Sequence, residues 1–152
     1  MKSLMAALAL IGLASPGWAA EPDWTWTQVM STGQGLRTET GRATVTTDKR
    51  SIRISFFYEQ GEDVDHAFRG TLGPPRVRPR FKNIRGFDIT GLLTTEGTDY
   101  NDKDPMRGTY LKDTYPGRAR NKTDVSCMET IVLSDGYNTI TANRVGEGPH
   151  DC

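Results

Sequence analysis

The stretch SIRISFFYE at residues 51–59 decides the fold, because apolar and polar side chains alternate along it. Ser51, Arg53 and Ser55 share one face of an extended chain. The other face carries Ile52, Ile54, Phe56 and Tyr58. A period of two is typical of a β-strand that buries one face. We therefore predict a strand here, with its even-numbered side chains turned toward a core.

The same alternation extends outward in both directions. Ala43, Val45 and Thr47 predict a strand that turns at residues 48–50 into the first one, which makes a hairpin. A second hairpin is predicted around residues 134–137, because an Asp-Gly pair suits a tight turn. Further strands are predicted at residues 24–30, 67–72, 87–94, 106–112, 125–133 and 138–145. A glycine-containing linker is predicted before Ala43, and an acidic loop is predicted over residues 96–105.

These segments amount to about eight short strands with hairpin-length links and no helical periodicity. The sequence therefore predicts an all-β domain. An antiparallel up-and-down β-barrel suits such strands, because closure removes the exposed edges of a sheet. A β-sandwich of two sheets is the alternative. The interior of such a barrel is either filled by side chains or holds one small ligand.

Residues 1–19 predict a cleavable signal peptide of bacterial type. Lys2 precedes an apolar run at residues 4–14, and small residues follow up to Ala19. The run has about 11 apolar residues and is too short for a transmembrane helix, which needs ~20. We expect cleavage after Ala19, a single domain over residues 20–152 without a transmembrane segment, and a secreted or periplasmic location.

The chain contains two cysteines, Cys127 and Cys152. In an oxidising compartment such a pair predicts a disulfide, which here would tie the C-terminal tail back to the domain. Closing a loop of about 26 residues contributes about 3 kcal/mol in the chain-entropy model. Neither a zinc site nor a redox dithiol fits the spacing of the two residues.

Charge composition points to no particular partner, because 19 basic residues balance 19 acidic ones. There is no specific nucleic-acid motif, and the oligomeric state is left open. Consecutive links of an up-and-down barrel lie at opposite ends. Along this chain mostly acidic links alternate with mostly basic ones, so negative and positive charges would collect at opposite ends of the barrel. In an extended chain, a spacing of two residues would align four cations on one face, namely Arg76, Arg78, Arg80 and Lys82. Such a strip would suit an anionic ligand. The candidate anion-binding residues are Arg76, Arg78, Arg80, Lys82, Arg118 and Arg120.

The catalytic inventory is small. His66 lies beside Asp63 and Asp65, which suggests a general base, but the sequence has no nucleophile, cofactor or metal motif. We therefore expect a non-catalytic binding module for an anionic or small ligand or a partner protein. One alternative is an inhibitor of a secreted hydrolase that uses a stiff loop at residues 73–75 or 115–117. The other is an enzyme that uses His66 with Asp63 or Asp65.

Overall fold

The computed structural model describes residues 23–58, 65–78, 81–96, 101–116 and 125–145. The secondary structure within these ranges consists of β-strands: β1 Trp24–Thr32, β2 Gly35–Thr47, β3 Ser51–Tyr58, β4 Asp65–Leu72, β5 Arg76–Arg78, β6 Phe81–Glu96, β7 Asn101–Pro116, β8 Val125–Ser134 and β9 Asn138–Arg144. The described part of the chain has no helix long and apolar enough to cross a membrane.

Eight of the nine strands close into an antiparallel barrel. The eight are all strands except β5. Each of them pairs with the next one along the chain, with β4 pairing with β6, and β9 pairs with β1 to close the barrel. The last pairing runs from Trp24 opposite Arg144 to Met30 opposite Asn138. The predicted all-β up-and-down barrel is therefore confirmed. The sandwich is excluded, because its two sheets would leave these strands as unpaired edges.

β5 is a short continuation of β4 along the same partner strand, since both run antiparallel to β6. Just beyond β4, the Gly73 amide still donates a hydrogen bond to the Asp88 carbonyl at 2.8 Å. Pro74 and Pro75 then interrupt the ladder because proline has no N–H to donate, and pairing resumes at Arg76. The extra strand therefore does not reverse the order in which later links reach the two barrel ends.

One hydrophobic cluster of buried side chains forms the core of the barrel. Its largest fully buried members are Trp26, Phe68, Ile54, Ile89, Met106, Ile131, Leu133 and Ile140. Burying a side chain of this size contributes about 1.5–3 kcal/mol. The described strands therefore enclose a hydrophobic core, and whether the barrel also holds a small ligand stays open.

The indole of Trp26 spans from β1 to β3 because Gly41, its direct partner on β2, has no side chain. The indole Nε1 donates a hydrogen bond to the Phe57 carbonyl at 3.2 Å. A Cβ atom at Gly41 would collide with that carbonyl and with the indole. Gly41 therefore allows a large core side chain to bury its ring and still satisfy its N–H.

Several strands are longer than predicted. β2 begins at Gly35, so most of the predicted linker pairs with β1. β6 and β7 stay paired as far as Glu96 opposite Asn101, which turns most of the predicted acidic loop into strand. Local composition misses both extensions, because a neighbouring strand supplies the backbone hydrogen bonds whatever the local propensity.

The strand directions place the links alternately at two ends of the barrel. The Trp24 end, where β1 begins, has the turn at 48–50, the link from β4 to β6 and the link from β7 to β8. The Gly136 end has the turns at 33–34 and 135–137 and the links from β3 to β4 and from β6 to β7.

Candidate functional site

The predicted anion-binding residues belong to links at the Trp24 end. Arg76 and Arg78 lie on β5, and Lys82 lies at the start of β6. The side chains of Arg78 and Lys82 lie outside the described part of the structure. The remaining candidates fall outside the described residues altogether: Arg80, Arg118 and Arg120. Their two links nevertheless leave from and return to strand ends at this end of the barrel.

The predicted strip of four cations along one extended strand is wrong. Arg78 pairs with Phe81, so the chain reverses between them and forms a hairpin. Arg76 and Arg78 therefore lie on one arm of this hairpin and Lys82 on the other. The prolines indicate an extended backbone at this point in the sequence, but they do not show that β6 begins directly after β5.

Arg76 is exposed and already has a charge partner. Its Nη2 atom lies 2.6 Å from Oδ2 of Asp88, and both side chains are more than half exposed, at 73% and 55%. Exposed ion pairs of this kind contribute only about 0–1 kcal/mol. Arg76 can therefore exchange Asp88 for an external anion at small cost.

A charged cluster that the sequence analysis missed lies in the barrel mouth at the Trp24 end. The Glu129 carboxylate is buried and accepts hydrogen bonds from the Tyr110 hydroxyl at 2.5 Å and from Arg144 at 2.6 Å. Lys112 Nζ lies 3.3 Å from the same carboxylate, and Arg144 also pairs with Asp23 at 3.3 Å. We call these five residues the mouth cluster.

The hydrogen bonds of the mouth cluster fix its protonation states. Burial by itself would raise the pKa of Glu129, but hydrogen bonds from Tyr110 and Arg144 and the charge of Lys112 outweigh it and hold the pKa below its ordinary value. Burial and the hydrogen bond to Glu129 raise the pKa of Tyr110 well above its ordinary value. The carboxylate therefore stays charged and the phenol stays protonated at neutral pH.

The charged groups of the mouth cluster are engaged with one another. The buried carboxylate has three donors around it, so its lone pairs are engaged by neighbouring side chains. One feature of the sequence does indicate the mouth cluster. Lys112, Glu129 and Arg144 each sit in phase with the apolar residues of their strands, at positions where the alternation predicts an inward-facing side chain.

His66 lies deep in the barrel wall toward the Gly136 end. It is 3% exposed, and its Nδ1 atom shares a hydrogen bond of 2.5 Å with the Tyr58 hydroxyl. The two rings stack with an interplanar angle of 18°, and Trp26 and Phe56 lie against the imidazole. The described surroundings of His66 are therefore mainly aromatic.

The structure does not describe the carboxylates predicted to pair with His66. Asp63 lies outside the described residues, and so does the side chain of Asp65. The pairing of His66 with either of them stays a prediction. Within the described part of the chain, no group of three or more His, Cys, Asp or Glu side chains is placed to hold a metal ion.

The two segments predicted as stiff inhibitor loops differ in structure. Pro74 and Pro75 are exposed and lie between β4 and β5, anchored by the hydrogen bond of Gly73. Tyr115 and Pro116, in contrast, belong to β7 and pair with β8, so this part of the second segment is not a loop. The first segment is therefore an exposed interruption between two strands that pair with β6, and the described part of the second segment is strand.

The disulfide between Cys127 and Cys152 stays a prediction. Cys127 belongs to β8, opposite Thr114 on β7, but its side chain lies outside the described part of the structure. Cys152 falls outside the described residues. β9 ends at the same end of the barrel at which β8 begins, so the C-terminal tail leaves the barrel near the start of β8.

Comparison with known proteins gives no match. No protein-family model matches the chain, and no curated protein or solved structure is significantly similar to it.

Proposed function

We propose that this chain is an exported, non-catalytic binding module that engages an anionic ligand or partner protein through the links at its Trp24 end. The observation that supports this is topological. The turn and the two links that contain most of the clustered cations all belong to one end of a closed barrel. The hydrophobic core supports it further, because buried apolar side chains inside the barrel do not offer partners to an anion, whereas the exposed links do.

The described surface charges follow this division only in part, because Asp48 is exposed beside Lys49 at the Trp24 end and Lys103 is exposed beside Asp102 at the other end. Lys49, Arg50 and Arg76 are exposed at the Trp24 end. Glu96 and Asp102 are exposed where β6 and β7 meet at the Gly136 end. A nearly neutral molecule with separated charges can still steer an anion toward its cationic end.

The test is retention of the mature protein on immobilised heparin in a salt gradient. The triple variant R76A/R78A/R80A should elute at clearly lower salt than the wild type, because each lost phosphate- or sulfate-type contact weakens the salt-dependent attraction. The triple variant R37A/R42A/R107A removes the same charge elsewhere and should elute close to the wild type. Equal elution of the two variants would remove the proposed site.

Inhibition of a secreted hydrolase is the second candidate. It is favoured by the exposed Pro74-Pro75 segment, which is held between two strands that pair with β6. Proline restricts the backbone before binding, so less conformational entropy is lost when such a loop enters a cleft. Capture of a hydrolase by the immobilised wild type, and its loss with P74G/P75G, would support this function in place of the first.

The enzymatic alternative rests on His66. Its buried, aromatic surroundings give it no described path to a substrate. If the purified protein shows turnover of any ester, peptide or glycoside substrate, loss of that turnover in H66A with retention of the fold would support a catalytic role.

Export itself is tested by the mature N-terminus. The proposal expects the protein recovered from the periplasm or medium to begin at Ala20, which intact-mass measurement determines directly. Recovery of the full-length chain from the cytoplasm only would contradict it.

A further inference from the structure

The outer wall of the barrel holds two arginines directly opposite each other. Arg53 on β3 pairs with Arg69 on β4, and both side chains are exposed. They face outward because their neighbours Ile52, Ile54 and Phe68 are buried in the core. Like charges at directly opposite positions destabilise a sheet. The arrangement therefore costs stability in the isolated protein.

No acidic side chain of the described residues offsets this cost. The described ion pairs use other cations, and neither Arg53 nor Arg69 takes part in one. Asp48 lines the same depression as the two arginines but forms no ion pair with either, and its Oδ1 atom accepts a hydrogen bond from the Lys49 amide at 2.6 Å. The two guanidinium groups thus face solvent with their donors uncommitted.

The arginine pair borders a depression of about 310 Å³ on the outer wall. Its lining also includes three hydroxyl residues, Thr46, Thr47 and Ser51, together with Asp48, Ile52 and Gly70. The turn at its lower edge is held to β4 by a hydrogen bond of 3.0 Å from the Leu72 amide to the Arg50 carbonyl. The depression therefore combines two forked cations with several small hydroxyl donors on rigid strands.

We propose that this depression binds a phosphate or sulfate group of a ligand. A guanidinium offers two parallel N–H donors to a tetrahedral oxyanion, and two of them can grip it from both sides. A doubly charged oxyanion would also remove the repulsion between Arg53 and Arg69. We call this depression the arginine cleft. It adjoins the turn at 48–50, whose Asp48 lines it, but it includes none of the arginines tested at the Trp24 end, Arg76, Arg78 and Arg80.

A second depression continues the arginine cleft on the far side of Arg69. It has a volume of about 250 Å³, and Thr94, Glu96 and Lys103 line it together with Arg69. Its mixture of a cation, an anion and a hydroxyl suits the polar remainder of a ligand rather than a second anionic group. The ligand class is therefore a phosphate or sulfate ester that has further polar groups.

The experiment measures binding of inorganic phosphate and of sulfate to the mature protein by amide chemical shifts in a chloride buffer. Both should saturate, with the largest shifts in β3 and β4 beside the cleft. R53Q and R69Q should each weaken binding about tenfold, the effect of losing a charge-assisted hydrogen-bond pair. The matched control is R107Q, because Arg107 is exposed on the same wall but lies opposite Thr90 and Ser134. It should bind like the wild type.

Stability provides an independent readout. In the absence of phosphate and sulfate, R53Q and R69Q should unfold at the same temperature as the wild type or higher, because each removes the repulsion across the strand pair. A merely structural role would lower that temperature.

Absence of saturable binding by the wild type, or equal weakening by R53Q and R107Q, would overturn the proposal. R76A/R78A/R80A should retain full binding of inorganic phosphate. Failure at the Trp24 end and failure of the arginine cleft are therefore distinguishable.

Discussion

At the scale of single residues, two positions have more influence on this barrel than their size suggests. Glu129 on β8 brings together three donors from the two neighbouring strands, Tyr110 and Lys112 on β7 and Arg144 on β9. Gly41 has no side chain, and this lets the Trp26 indole reach β3. Both effects depend on partners far away in the sequence, so each can be tested by one substitution that leaves the local propensity nearly unchanged.

The first prediction concerns Glu129. E129Q should lower the free energy of unfolding by about 3 kcal/mol, because Lys112 would lose its described ion-pair partner and Arg144 would keep only Asp23. Urea unfolding at neutral pH measures the difference. E96Q is the control, since Glu96 is exposed and forms no ion pair with a described residue. It should change the free energy by less than about 0.5 kcal/mol.

The pH dependence of stability follows from the same carboxylate. In the folded state the pKa of Glu129 lies below its ordinary value of 4.5, so the unfolded chain takes up this proton first as the pH falls. Its stabilisation is complete above pH 4.5 and is lost as the pH falls through the lowered folded pKa. The free energy of unfolding of the wild type should therefore fall more steeply below pH 4.5 than that of E129Q. Identical slopes would contradict the mouth cluster.

A second residue-scale prediction concerns Gly41. G41A should destabilise the protein by about 1–3 kcal/mol, because the added methyl forces the indole or the Phe57 carbonyl to move. G33A is the matched control, since a Cβ atom at Gly33 meets nothing within 4 Å. Thermal unfolding should separate the two variants clearly. A neutral G41A would show that the indole does not need this position.

At the scale of elements, the sequence predicts strands well where a strand buries one face. The alternation in Ser51–Tyr58 is confirmed: Ile52, Ile54 and Phe56 are buried, Ser51 and Arg53 are exposed, and Tyr58 is half-buried. The sequence fails where pairing alone decides the structure. Pro105 argues locally against a strand, yet it lies within β7 opposite Leu92, because β6 runs alongside. The mouth cluster was missed for a related reason: its members come from separate strands, and only the barrel register brings them together.

The turn between β8 and β9 shows local chemistry that the sequence does predict. Asp135 Oδ1 accepts hydrogen bonds from the amides of Tyr137 at 2.7 Å and Asn138 at 2.6 Å. Gly136 supplies the positive φ angle of 99°. D135A should therefore cost about 1 kcal/mol, the usual value for a lost capping oxygen. D135N keeps an acceptor and should cost less. Chemical denaturation of both variants compares them, and equal losses would exclude the hydrogen bonds as the cause.

At the scale of the whole molecule, closure does not depend on the cysteines. The β1–β9 and β4–β6 pairings complete the barrel, and the Val145 amide donates to the Asp23 carbonyl at 2.8 Å where the described chain ends meet. The predicted disulfide would act on the tail beyond Val145, by tying it to the start of β8. Loss of this bond should therefore lower stability without changing the fold.

The variant C152S separates these two contributions. We expect it to keep the circular dichroism of the wild type but to lose about 3 kcal/mol of unfolding free energy, because the unfolded chain is no longer restrained by the loop. The same loss should appear when the wild type is reduced, and reduction should have no effect on C152S. The intact mass of the oxidised wild type should be lower by two hydrogens than that of the reduced protein. If reduction leaves the wild-type free energy unchanged, the tail is not tied by a disulfide, and closure through β1 and β9 alone accounts for the stability of the barrel.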